Sequence, residues 1–161
     1  IRRGLASFHN DSANAPGRFN VMDYRGATII ADYGHNPDAI RALVQAVDAM
    51  PGNKRSVVIS GAGDRRDQDI IEQTRILGAA FDEVILYQDA CQRGRADGEV
   101  LALLRQGLEG APRTRYSTEI HGEFAAIDHA LERLAPGDLC LVLVDQVEEA
   151  LAHLQQRIAS A

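Results

Sequence analysis

The chain has 161 residues, 45% hydrophobic and 25% charged, with a formal net charge of −6. That length carries one domain with a full core and rarely two, and the negative balance argues against a nonspecific nucleic-acid or anionic-membrane surface while leaving room for a local basic site. No stretch has the apolar length needed to cross a bilayer or the form of a secretory signal, so a cytoplasmic protein is expected.

Residues 1–17 are weakly patterned, and 10–17 read as a linker rich in Asn, Ser, Ala, Pro and Gly. Residues 19–24 and 27–32 flank Arg25-Gly26 and predict a hairpin or two adjacent strands. Ala39, Ile40, Leu43, Val44 and Val47 form a helical stripe within 37–50, which Pro51-Gly52 stops. Residues 56–60 are a β-branched run suited to a strand buried on both faces. A helix follows over 67–81, a strand over 83–87 and a helix over 98–108. A short strand is then expected at 115–117, a helix at 119–134 and a turn at Pro136-Gly137-Asp138. Residues 139–144 are the most apolar strand, with Cys140 inside it as a small buried hydrophobe, and 147–158 closes the chain as a helix. Cys91 and Cys140 match no zinc or redox spacing, so both are read as reduced thiols. The alternation of strands and helices predicts an α/β domain: a mainly parallel sheet with an antiparallel edge or hairpin and helices on both faces.

Three loops beyond strands could carry chemistry. Asp32 ends an apolar strand, Asn36 can cap the next helix, Pro37 fits its first position and Asp38 favours its dipole. A carboxylate at the carboxyl end of a strand can bridge two ribose hydroxyls, offering two acceptors to two donors. The same residues also fit a turn acid before an ordinary helix. Residues 60–67 read Ser-Gly-Ala-Gly-Asp-Arg-Arg-Asp, where the glycines admit close backbone approach and Arg65 can reach a phosphate or carboxylate. This is no P-loop, and Arg66 stands where Gly-x-Gly-x-x-Gly needs its third glycine, so a tight turn with solvated charges fits as well. In the third loop, Arg93 and Arg95 can hold a carboxylate while Asp89 and Glu99 can meet a cation, or the segment is simply a basic loop. Asp145, Glu148 and Glu149 read as helix N-terminal acids. His9, His121, His129 and His153 lack partners at metal-site spacing, and the missing Gly-x-Ser-x-Gly argues against a serine hydrolase.

Taken in order, Pro16-Gly17-Arg18-Phe19-Asn20, Asp32-Tyr33-Gly34-His35-Asn36-Pro37 and Gly61-Ala62-Gly63-Asp64-Arg65 resemble the C-terminal domain of the Mur ligase superfamily. Gly63-Asp64-Arg65-Arg66-Asp67, Arg93-Gly94-Arg95 with Gly98-Glu99, and Pro136-Gly137-Asp138-Leu139 are similar to the Mur-ligase-like part of the cyanophycin synthetases. Gly34 stands where the superfamily usually has alanine. Asp89 and Arg93-Gly94-Arg95 replace the Asp-Asn-Pro-Arg of the peptidoglycan ligases, which argues against a peptidoglycan-type amino-acid pocket.

The resemblance implies a three-layer Rossmann-like third domain over 18–161, with 1–17 as interdomain linker and tail, in a longer ATP-dependent ligase. A central ATPase domain, absent from this chain, is expected to supply the P-loop and the Mg2+ ligands, so the fragment alone is expected to be inactive. Such ligases activate a carboxylate as an acyl phosphate for attack by an amine. Here the resemblance implies arginine joined to aspartate side chains of an acidic polypeptide, with another Mur-type amino-acid ligase or a non-catalytic nucleotide-binding module as alternatives. Arg18 would line the adenine side and Asp32 the ribose hydroxyls, with Tyr33, His35 and Asn36 shaping the turn around the nucleotide. Arg65 would approach the phosphates, and Asp89, Arg93, Arg95 and Glu99 would face the incoming amino acid. No metal ligand is expected in this chain, and the full-length protein is expected to be a homo-oligomer.

Overall fold

The structure, a computed structural model, describes residues 17–88 and 93–161; most of the expected linker, together with Asp89 and Cys91, lies outside the described residues. Arg25 and Gly26 both adopt positive φ, 52° and 85°, the two-residue turn geometry that matches the natural twist of paired strands. They join β1 (Asn20–Tyr24) to β2 (Ala27–Asp32), which pair antiparallel with Tyr24 opposite Ala27. β3 (Arg55–Ile59), β4 (Glu83–Gln88), β5 (Tyr116–His121) and β6 (Leu139–Leu143) complete a six-stranded sheet in the order β1-β2-β6-β3-β4-β5. All pairings from β2 to β5 are parallel.

Among the described residues five helices cover the two faces. Residues of α1 (Pro37–Asp48), α2 (Asp67–Gly78) and α3 (Glu99–Gly107) share one core with Ile30, Val57, Ile59, Val84 and Leu141. Residues of α4 (Glu123–Glu132) and α5 (Val147–Ala159) share the other with Ile29, Val58, Ile85, Tyr87 and Val142. The alternation of side chains along each strand feeds the two cores, which is why β3, β4 and β6 read as nearly unbroken apolar runs. Among the described residues no helix is long and apolar enough to cross a membrane.

Three elements depart most from their expected boundaries. The short strand at 115–117 is the six-residue β5, paired with β4 along its whole length from Glu83–Tyr116 to Gln88–His121. The helix expected from 119 begins only at Glu123, because Gly122 at φ 100° breaks the chain direction between them. The helix over 67–81 stops at Gly78, where the chain tightens so that Phe81 donates its N–H to the Leu77 carbonyl and is fully buried.

The topology places the site. β6 leads into α5 on one face, while its neighbours β2 and β3 lead into α1 and α2 on the other. A crevice at the carboxyl ends of such strands is where open α/β sheets bind ligands.

Candidate functional site

Asp32 closes β2 and is the anchor for the segment that precedes β1. Its Oδ2 accepts the Phe19 N–H at 2.8 Å. Tyr33 donates its N–H to the Gly17 carbonyl at 2.8 Å, and the Gly17 N–H goes to Oδ1 of buried Asn20 at 2.7 Å. Gly17 is required here: its φ is 76°, and a Cβ would lie 2.7 Å from Cγ1 of Val147. The result is a folded turn that sets exposed Arg18 beside the Asp32 carboxylate. Burial pushes the Asp32 carboxyl above 3.8, opposed by the N–H groups of Phe19 and Gly34 and by the charges of Arg18 and His35. Each carboxylate oxygen has two acceptor positions, so these N–H bonds leave acceptor capacity for a ligand.

The turn after Asp32 is built as a helix start. Oδ1 of Asn36 accepts the Ala39 N–H at 2.9 Å, and Pro37 opens α1. Gly34 does more than turn the chain: a Cβ there would meet Leu43 Cδ1 at 3.0 Å and Asp32 Oδ1 at 3.2 Å. His35 is a brace. Its Nε2 lies 3.1 Å from the Val144 carbonyl, which can only accept, so Nε2 carries the proton of the neutral ring. Its Nδ1 is buried with no partner among the described residues. Gln73 of α2 donates to the His35 carbonyl at 2.5 Å. Burial holds the ring below 6.5, although Asp145 and the Val144 carbonyl pull the other way. Tyr33, 45% exposed, stands edge-on to His35 with ring centroids 4.5 Å apart.

The glycine-rich loop comes from β3. A Cβ on Gly61 would lie 2.9 Å from Val100 Cγ1 and 3.1 Å from Ile70 Cγ2, so this glycine lets the loop lie against α2 and α3. Arg65 donates its N–H to the Ala62 carbonyl at 3.0 Å and is exposed. Among the described residues its guanidinium has no hydrogen-bond or ion-pair partner. Arg18, Asp32, Tyr33, His35, Asn36 and Arg65 together line one cleft of about 410 Å³.

The third loop divides. Arg93, at φ 52°, hydrogen-bonds Tyr33 and Asp64 (3.3 Å) and lies 3.8 Å from Asp145 Oδ1, at the rim of the cleft. Arg95 turns inward instead. It donates to the carbonyls of Gly63 (2.7 Å) and Arg65 (2.8 Å) and pairs with Asp67 (2.8 Å) and Glu99 (3.0 Å). Glu99 also accepts the Ala96 N–H at 3.0 Å. The structure therefore engages Arg95 and Glu99 as a clip on the glycine-rich loop. Asp89 lies outside the described residues.

Residues the sequence reading passed over sit at the centre. Because β6 lies between β2 and β3, its end carries Val144 and Asp145 into the middle of the site, with Asp145 Oδ1 3.9 Å from His35 Nε2. Asp145 had read only as a helix N-terminal acid, and buried Glu123, which holds its N–H, gave no sequence signal. Among the described residues no group of three His, Cys, Asp or Glu is placed to hold a metal ion.

Residues 17–144 match the family described as Mur ligase, glutamate ligase domain, and the chain belongs to that family. Within it, the chain is 34% identical over 158 residues to cyanophycin synthetase from Synechocystis sp., an alignment spanning 98% of this chain and 18% of that protein. Among solved structures it is similar to a UDP-N-acetylmuramoyl-L-alanyl-D-glutamate--2,6-diaminopimelate ligase, with TM-score 0.76 and 22% identity over 91% of this chain and 32% of the other. It is also similar to E. coli FolC in complex with ADP, with TM-score 0.68 and 24% identity over 92% and 33% of the two chains. These likenesses show the fold, a three-layer Rossmann-like α/β domain.

Proposed function

We propose that this chain is the capping domain of a longer ATP-dependent amide-bond ligase of the cyanophycin synthetase type, with the domain proper over 18–161 and a linker before it. The observation that carries the reading is one cleft with an acceptor at one side, Asp32, and at the other a cation, Arg65, that has no hydrogen-bond or ion-pair partner among the described residues. ADP in the complex of E. coli FolC, a structure of like fold, supports a nucleotide as its occupant.

In this reading Asp32 accepts the ribose hydroxyls, with Arg18 and Tyr33 on the adenine side and His35 and Asn36 fixing the turn. The γ-phosphoryl group of ATP passes to a substrate carboxylate, giving an acyl phosphate and ADP. An amine then attacks the acyl carbon, and phosphate leaves as the amide forms. Arg65 faces the charge that builds on the phosphate oxygens, where a preorganised cation in a closed, dry site counts most. Closing the domain over the acyl phosphate also keeps water from hydrolysing it. Mg2+ and the P-loop belong to another domain of the same enzyme, and the setting is the cytoplasm.

The amine is arginine, received at the Arg93 side of the cleft, while Arg95 and Glu99 act by holding the loop. The acceptor is a carboxylate of an acidic polypeptide. An amino-acid screen for ATP-dependent ADP release by the full-length protein tests this: arginine should give the largest release. No release with any amino acid, or no P-loop domain upstream in the same polypeptide, overturns it.

A further inference from the structure

Helix α4 opens with a carboxylate buried behind the cleft. Glu123 is 4% exposed and follows Gly122, whose φ is 100°. Its Oε1 accepts the Asp145 N–H at 2.8 Å and its Oε2 the Gln146 N–H at 3.1 Å. These are consecutive donors leading from β6 into α5, so one side chain fixes two successive peptide planes. The open N–H groups and positive end of α5 favour the ionised carboxylate. Burial, reinforced by Asp145 and Glu149, works against it and pushes the carboxyl above 4.5.

What matters is what the held segment touches. Val144 receives the His35 Nε2 proton at 3.1 Å and donates its own N–H to the Asp32 carbonyl at 2.9 Å. Asp145 faces both Arg93 Nη2, at 3.8 Å, and His35 Nε2, at 3.9 Å. Val147 fills the space beside Gly17 and lines the cleft. Segment 144–147 thus borders the turn at Asp32, the His35 ring, Arg93 and the turn at Gly17.

We propose that Glu123 is a positioning residue for the cleft. By clamping the N–H groups of Asp145 and Gln146 it sets the height of segment 144–147, and so the wall made by His35, Asp145 and Val147. Glu123 touches no ligand itself. The proposal rests on reading the cleft as a nucleotide site, and its test separates the two.

The experiment is ¹⁵N NMR of this chain with ADP as the probe, comparing the wild type with Glu123→Gln. The amide keeps the size of the side chain but turns an NH2 toward a backbone N–H, so one of the two bonds is lost. The Asp145 and Gln146 amides and the His35 ring signals should move, and the ADP dissociation constant should rise about tenfold. A general loss of stability would lower the melting temperature without weakening ADP binding well below it. If Glu123→Gln does not fold, Gln146→Pro deletes one of the two donors with Glu123 in place and should move the same signals and weaken ADP in the same direction. Unmoved His35 and Asp145 signals overturn the proposal, as does unchanged ADP affinity when those signals move. A wild type that shows no ADP-dependent shift at Gly34 or Arg65 overturns the nucleotide reading instead, and the His35 and Asp145 signals still decide whether Glu123 sets the wall.

Discussion

The amino-end rim of the sheet and the carboxyl-end rim are made from the same residue types and use them differently. At the amino end, the Glu83 side chain is 2% exposed and lies between Arg133 Nε at 2.5 Å and Lys54 Nζ at 3.5 Å. Asp138 accepts the N–H groups of Lys54 (3.1 Å) and Ala135 (2.9 Å). Asp82 takes the Arg55 N–H and the Arg113 guanidinium; these outweigh the opposing effect of burial and hold its carboxyl below 3.8. At the carboxyl end, burial pushes Asp32 and Glu123 up and His35 down, and the Arg65 guanidinium has no partner among the described residues. The paired charges of the amino-end rim serve the fold; at the carboxyl end Arg93 and Arg95 are also paired, and it is the perturbed Asp32 and His35 beside Arg65 on which the proposed nucleotide site rests.

That contrast can be broken by substitutions at each end. Glu83→Ala leaves Lys54 and Arg133 facing a buried gap; both are partly exposed, which lessens the cost, so urea unfolding should show a loss of about 3 kcal/mol with ADP affinity intact. A drop in ADP affinity of similar size would mean that the two rims are not separate. Arg65→Ala should do the reverse. Unfolding free energy should stay within about 0.5 kcal/mol, while kcat of the full-length protein falls about 100-fold. Wild-type turnover would remove Arg65 from the chemistry.

Smaller effects sharpen the comparison. Asp32→Asn keeps an oxygen for the Phe19 N–H but loses an acceptor for ribose, so the apparent KM for ATP should rise about tenfold with kcat little changed. Unchanged ATP dependence would leave Asp32 as the anchor of the preceding turn alone. The smallest effect concerns His35. Its folded pKa lies below 6.5, so the unfolded chain binds its proton first, and the contribution of the neutral ring is present above 6.5 and lost as pH falls toward the folded value. The melting temperature of wild type relative to His35→Gln should therefore decline as pH drops through 6.5, by a few degrees. A difference that is flat with pH would contradict the buried neutral ring.

What the sequence made legible was local chemistry. Asn36 and Pro37 announce a helix start from adjacent residues, and Arg25-Gly26 announces a hairpin, because caps and turns are decided within a few residues. Strand order is not local. Nothing in residues 139–144 reports that β6 lies between β2 and β3, so Asp145 could not be seen facing His35, 110 residues earlier in number by Asp145 − His35. Glu123 was hidden for the same reason, its partners lying on another element. Arg95 and Glu99 were visible as charges, but not as a pair whose donors and acceptors close on the loop carrying Arg65. β5 was undersized because an exposed edge strand containing Glu119 and His121 lacks the apolar run that marked the central strands.

The most direct test is an ADP titration of this chain followed at every assigned backbone amide. Weak binding, with a dissociation constant on the order of 1 mM, should shift Arg18, Gly34 and Arg65 while Lys54 and Glu83 at the opposite rim stay fixed. Shifts confined to the opposite rim, or none at about 10 mM ADP, would contradict the placement of a nucleotide between Asp32 and Arg65.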